Sequence, residues 1–182
     1  MSGMAAAFYL ARMGADVAIY EKRQKLGGIV SAVIPDFRID DSVIEKDAAL
    51  LEKLGVKVFY GREVTSVKEL QEEYDAVILA VGAYKRGQIK LDGKEVRNAL
   101  EFLEEFNRAK GTVNLGKHVV VIGGGNTAMD TARAAKRCAG VEHVYLAYRR
   151  TKRYMPADEH ELLLAIEDGV EFKELLAPDR ME

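Results

Sequence analysis

The chain has 182 residues, 48% of them hydrophobic, enough for one sizeable core or two small halves. Its net charge of −2 provides no global basic field, which argues against nucleic acid as a partner, and no apolar run is long enough to span a membrane. The single cysteine, Cys138, excludes an internal disulfide, a CxxC redox pair and an iron–sulfur cluster, and fits a reduced, cytoplasmic compartment.

In chain order, residues 2–14 read as a helix stopped by Gly14, followed by a strand over 16–20 that ends in Glu21. Gly27 and Gly28 mark a loop where backbone can come close to a ligand, and the stretch IPDFRI, with Arg38, follows. Asp41 or Ser42 is expected to cap a helix running to Leu54, with a stop at Gly55. Residues 56–60 read as a strand and 70–74 as a short polar connector. The apolar run 75–81, ending at Gly82, is expected to be a buried parallel strand. From 83 to 116 the pattern weakens. Gly87, Asp92-Gly93 and Gly111 punctuate it, Lys94 and Glu95 read as solvated, and 96–109 reads as an amphipathic helix crossing between two halves.

The chain is organised around the next stretch, KHVVVIGGGNTAMD, residues 117–130. A branched apolar strand meets three glycines and then a helix, and Gly123-x-Gly125-x-x-Ala128 fits the dinucleotide-binding fingerprint in its Ala-ending form. Gly123 permits the tight turn, Gly125 lets backbone N–H groups approach a pyrophosphate, and Ala128 lets the helix lie close to the strand. The helix N-terminus offers N–H donors and a positive dipole end to phosphates. Ala128, Ala132 and Ala135 put small side chains on one helix face, and a strand over 144–148 ends at Arg149 and Arg150. At that position in this fold, roughly twenty residues past the glycines, a carboxylate suits NAD and an arginine suits a 2′-phosphate. NADP(H) is therefore expected over NAD(H). The same helix-then-strand pattern occurs near the N-terminus, where Gly3, Ala7 and Leu10 take the offsets of Ala128, Ala132 and Ala135, and Glu21 takes that of Arg149. An acid there suits the free ribose hydroxyls of FAD or NAD. The first copy lacks its opening strand and two glycines, and an incomplete sheet exposes strand edges that invite a second copy of the chain, a homo-oligomer. A last helix opens at Met155-Pro156-Ala157, with Asp158, Glu159 and Glu161 in its first turn, Gly169 as its stop and a strand over 170–175 beyond it. No zinc helix, GxSxG or catalytic cysteine context stands out.

The fold expected is α/β: two Rossmann-like, doubly wound dinucleotide-binding halves with parallel sheets. Their boundaries are 1–83 for a partial flavin-type domain, 84–116 for a connecting segment and 117–182 for a partial NAD(P)-binding domain.

The order GGIV, IPDFRI, ILAVGA, KHVVVIGGGNTAMD, YRRT and MPA resembles the FAD- and NADPH-binding flavoprotein unit of the glutamate synthase small subunit and the N-terminal part of dihydropyrimidine dehydrogenase. It is most similar to the flavoprotein of selenate reductases. The resemblance implies an oxidoreductase in which hydride passes from NADPH to FAD and electrons leave to an iron–sulfur or large-subunit acceptor. Carried over by motif, Gly3, Glu21, Lys22, Gly27, Gly28, Arg38 and Gly82 would touch FAD. Gly123, Gly124, Gly125, Asn126 and Thr127 would hold the NADPH pyrophosphate, with Arg149 and Arg150 on its 2′-phosphate. No side chain is expected to act as a nucleophile, because the protein supplies orientation and electrostatics to two cofactors. The usual Ala-Thr-Gly of the flavin side is Ala80-Val81-Gly82 here, and the family's cluster-binding cysteines are missing. This implies a fragment that binds FAD poorly when isolated. The alternative from the residues alone is a non-catalytic NADP-binding module without flavin.

Overall fold

The structure, a computed structural model, describes residues 1–83 and 95–179. Gly87, Asp92, Gly93 and Lys94 of the sequence reading lie outside the described residues; Glu95 is exposed. The described residues form two compact units, one made of 1–32 and 36–83, the other of 33–35 and 95–179.

The first unit runs α1 (Ser2–Arg12), β1 (Ala18–Glu21), α2 (Ile29–Ala32), α3 (Asp41–Lys53), β2 (Lys57–Tyr60) and α4 (Val67–Glu73). Strands β1 and β2 pair in parallel from Ala18 opposite Lys57 to Glu21 opposite Tyr60. Met4 and Ala7 of α1, Ile44 and Leu51 of α3, Leu26 and Val56 make its core. These helix positions lie three or seven residues apart, so each helix turns one apolar stripe inward.

Three local readings change in this unit. Asp40, rather than Asp41 or Ser42, caps α3, its carboxylate accepting from the Ser42 N–H at 2.8 Å. The expected connector over 70–74 falls largely within helix α4. The run 75–81 is not paired as a strand, and Ile78, Leu79 and Val81 are 58%, 65% and 81% exposed. An apolar sequence sets burial only where a neighbour covers it, and no strand pairs with this run among the described residues. It does lie beside α1, since a Cβ on Gly3 would sit 3.3 Å from that of Ala80.

The second unit contains α5 (Ala99–Arg108), β3 (His118–Ile122), α6 (Asn126–Arg137), β4 (His143–Tyr148), a 3-10 turn (Lys152–Tyr154), α7 (Glu159–Glu167) and β5 (Glu171–Glu174). Its sheet is parallel throughout in the order β3-β4-β5, with His118 opposite His143 and Tyr145 opposite Glu171. Helix α6 packs against α5, α7 and the sheet. That crowding explains its composition: Met129, Ala132 and Ala134 are fully buried, and alanine lets three neighbours approach one helix. Asn98 caps α5 through the N–H groups of Leu100 and Glu101, and α5 buries Phe102, Leu103 and Phe106. The backbone carbonyl of Ile34 accepts from Asn107 of α5 at 2.9 Å, which ties 33–35 to this unit. Cys138 is the buried cap residue at the end of α6, and burial pushes its thiol pKa up.

An ion-pair cluster locks α6 to the end of α7. Asp168 accepts from Arg133 Nε and Arg137 Nη1, both at 2.6 Å, and from Arg137 Nη2 at 3.1 Å. Burial pushes this carboxyl up, but hydrogen bonds from Arg137 and Arg133 outweigh it and hold the pKa below the ordinary value. A depressed folded pKa contributes stability above the unfolded pKa that is lost as pH falls through the folded one. Asp168→Asn is therefore expected to lower stability in urea by about 1–2 kcal/mol at pH 7. The gap from the parent protein should narrow as the pH drops below the ordinary carboxylate range, and a gap independent of pH would refute the ionic account.

Candidate functional site

In the second unit, β3 runs straight into the glycine turn and α6. The Gly123 N–H still bonds the Ala147 carbonyl at 3.0 Å, so the turn begins in register with β4. Gly123 has φ +148°, and a Cβ there would lie 3.2 Å from that of Ala128. The tight turn and the small residue one helical turn later are thus matched. Gly124 carries the severest constraint. A Cβ on it would lie 2.5 Å from Tyr148 Cε2 and 2.6 Å from Cδ2, so only glycine fits over the ring. Gly125 is the N-cap of α6, and Asn126 and Thr127 are exposed in the first turn, where helix N–H groups have no partner within the helix.

A loop from the end of β4 folds back over this turn. The Ala157 N–H donates to the Gly124 carbonyl at 3.0 Å and the Asp158 N–H to Asn126 Oδ1 at 3.3 Å. Pro156 stands 4.0 Å from where a Gly125 Cβ would be. Asp158 itself is the cap of α7, accepting from the His160 N–H at 2.8 Å, so the expected first turn starts one residue later, at Glu159. Tyr148 joins these parts: its ring supports Gly124 and its hydroxyl donates to the Tyr154 carbonyl at 2.6 Å.

Arg149 and Arg150, both exposed, line one cleft of ≈ 350 Å³ with Thr151, Tyr154 and Leu175. The strand end and the turn thus present backbone donors at α6 and two guanidinium groups at the end of the adjacent strand. The arrangement can bind an anion at the helix N-terminus and a second, doubly charged one at the arginines.

In the first unit, Glu21 ends β1, and its Oε1 accepts from the Arg23 N–H at 2.9 Å. Lys22 is exposed and 4.0 Å from Glu63. Gly27 is buried where a Cβ would meet Ser31 and Ile44 at 2.9 and 3.0 Å, whereas Gly28 has open space around it. Gly3 lies in the first turn of α1, and Gly82 and Arg38 are exposed. Sequence reasoning missed Tyr148, Tyr154 and Leu175. YRRT placed a tyrosine beside the arginines, but its contact with the glycine turn is tertiary. Among the described residues no group of three potential metal ligands occurs, and no helix is long and apolar enough to cross a membrane.

Comparison with known proteins supports the α/β fold with parallel sheets. The Escherichia coli protein YgfK is 42% identical over 186 residues, covering 100% of this chain and 18% of that protein. A glutamate synthase [NADPH] small chain from Azospirillum brasilense is 37% identical, covering 98% of this chain and 40% of its own. The structure of Mycobacterium tuberculosis FprA in complex with NADPH superposes with a TM-score of 0.71 at 25% identity, over 91% of this chain and 44% of FprA. The chain therefore spans less than half the length of each. The pattern of pyridine nucleotide-disulphide oxidoreductases matches residues 1–174, and the chain belongs to that family of flavoprotein oxidoreductases.

Proposed function

We propose that the chain is the cofactor-binding part of an NADPH-dependent, FAD-containing oxidoreductase that works in the cytoplasm and passes electrons to an iron–sulfur or large-subunit partner. The observation that carries this reading is the glycine turn at the start of α6 together with Arg149 and Arg150 at the end of β4, the strand paired with the one that leads into that turn. NADPH, when bound, supplies a hydride and FAD accepts it. The chain's own residues bind and orient. The first-turn N–H groups of α6, at Asn126 and Thr127, would hold the pyrophosphate where Gly125 lets it come close. Arg149 and Arg150 would hold the 2′-phosphate. In the first unit Gly3, Glu21, Lys22, Gly27, Gly28, Arg38 and Gly82 would serve FAD, with the Glu21 carboxylate accepting from ribose hydroxyls. The names of the small-chain relative and of FprA, both carrying NADPH, support the nucleotide, and the small-chain name supports a larger partner subunit.

A second reading, an NADP-binding module without flavin, draws support from the exposure of Ile78, Leu79 and Val81 beside the flavin-side helix. The visible spectrum after incubation with FAD and removal of free flavin separates the two. A retained flavin band that NADPH bleaches under nitrogen faster than NADH does supports the first reading. A protein that retains no flavin leaves the second reading.

A further inference from the structure

Tyr148 closes β4 directly before Arg149 and Arg150, and its side chain is buried. The two ends of that side chain grip different parts of the unit. The ring lies so close under Gly124 that a Cβ there would meet Cε2 at 2.5 Å, Cδ2 at 2.6 Å and Cζ at 3.1 Å. The hydroxyl donates to the Tyr154 carbonyl at 2.6 Å, and from there the chain returns to the same glycine, because the Ala157 N–H donates to the Gly124 carbonyl at 3.0 Å. Tyr148, the span 154–157 and Gly124 therefore form one closed circuit. The span is stiff. The Tyr154 and Met155 N–H groups each bond the carbonyl three residues back at 3.0 Å, and Pro156 has a fixed φ. Both flanks are tied down as well, by the Lys152 N–H to Glu174 Oε2 at 2.8 Å and by the Asp158 N–H to Asn126 Oδ1 at 3.3 Å. A phenyl ring alone would fill the space under Gly124. The hydroxyl adds what packing does not: it ties the strand end that carries the arginines to the turn that opens α6.

We infer that Tyr148 is a positioning residue for the nucleotide: its hydroxyl, through the 154–157 span, holds the separation between the α6 turn and the arginine pair. This rests on the NADPH reading, in which the pyrophosphate occupies the turn and the 2′-phosphate the arginines, and adds to it the group that sets their spacing. The two anions of one nucleotide are joined by a short covalent path, so both sites can be filled together only while their separation matches that path. A ligand with one anion has no such requirement. The hydroxyl therefore matters to a nucleotide that spans both sites and not to one that fills the arginine site alone. It is committed to the Tyr154 carbonyl, and it acts on the nucleotide only through the turn.

Calorimetric titration of the parent and of Tyr148→Phe with NADPH and with adenosine 2′-monophosphate tests this. The second probe carries the 2′-phosphate but no pyrophosphate. The variant keeps the ring under Gly124 and loses only the hydroxyl. It is expected to bind NADPH about 10-fold more weakly, the scale of one hydrogen bond, and to bind the monophosphate within about 2-fold of the parent. Thermal unfolding of both proteins checks that the variant is folded at the titration temperature. A merely structural role predicts a lower unfolding temperature with the two affinities moved by the same factor or not at all, and either pattern overturns the inference. A parent that binds neither probe refutes the NADPH reading itself, and the inference with it. A parent that binds both, with no selective loss in Tyr148→Phe, refutes the inference alone.

Discussion

Replacing Arg149 and Arg150 together by alanine is expected to weaken NADPH binding about 100-fold or more while changing NADH binding little. A hydrogen bond to a charged group contributes about 1.5–3 kcal/mol, and two guanidinium groups offer at least two such contacts to one phosphate. Both side chains are exposed, which favours the lower end of that range, and even that end for two residues gives roughly two orders of magnitude. Exposure also makes the experiment clean. Removing either side chain leaves no cavity, so stability should stay within about 0.5 kcal/mol of the parent. Dissociation constants for both nucleotides, measured by fluorescence or calorimetry, give the ratio directly. An unchanged NADPH constant would mean that the 2′-phosphate lies away from the end of β4.

The second large effect belongs to stability. Gly124→Ala places a methyl group within 2.6 Å of two carbons of the Tyr148 ring, and overpacking of this kind costs about 1–3 kcal/mol. Tyr148→Ala removes a ring that is 8% exposed and should cost about 3–5 kcal/mol. The informative protein is the double variant. If the ring is the reason position 124 must be glycine, the methyl group costs little once the ring is gone. The double variant should then be less destabilised than the sum by about 1–2 kcal/mol. Urea denaturation of the four proteins closes the cycle, and strict additivity would sink the explanation.

Much of this site was legible because its chemistry is local. The strand, the glycines and the alanine at 128 sit within one short stretch, and their steric roles follow from a strand turning into a helix. The place of Arg149 and Arg150 at the end of β4 was legible for a similar reason, since a strand end at a fixed offset from the glycines is a fixed place in the fold. What could not be read depends on partners distant in sequence. Nothing in the sequence around Gly124 shows that Tyr148 lies under it, and steric roles were expected of Gly123 and Gly125 when the middle glycine carries the tightest contact. Leu175 looks like any strand-end leucine until its backbone angle is known. The run 75–81 failed in the opposite direction, because composition reports a preference for burial and not the presence of a cover. At helix starts, Asp40 and Asp158 each stood among other acids and serines, and only geometry selects which side chain turns back to the N–H groups.

The position of Tyr148 bears on how nucleotide preference can drift. Its ring sets the glycine turn and its hydroxyl sets the segment that carries Tyr154, so a change at 148 disturbs both ends of the proposed site together. The two arginines that follow it are free of that burden, being exposed at the tip of the strand. Under the NADPH reading, a lineage, or an engineer, could therefore trade the phosphorylated nucleotide for the plain one by substitutions at 149 and 150 alone. The adjoining tyrosine would remain fixed throughout such an exchange.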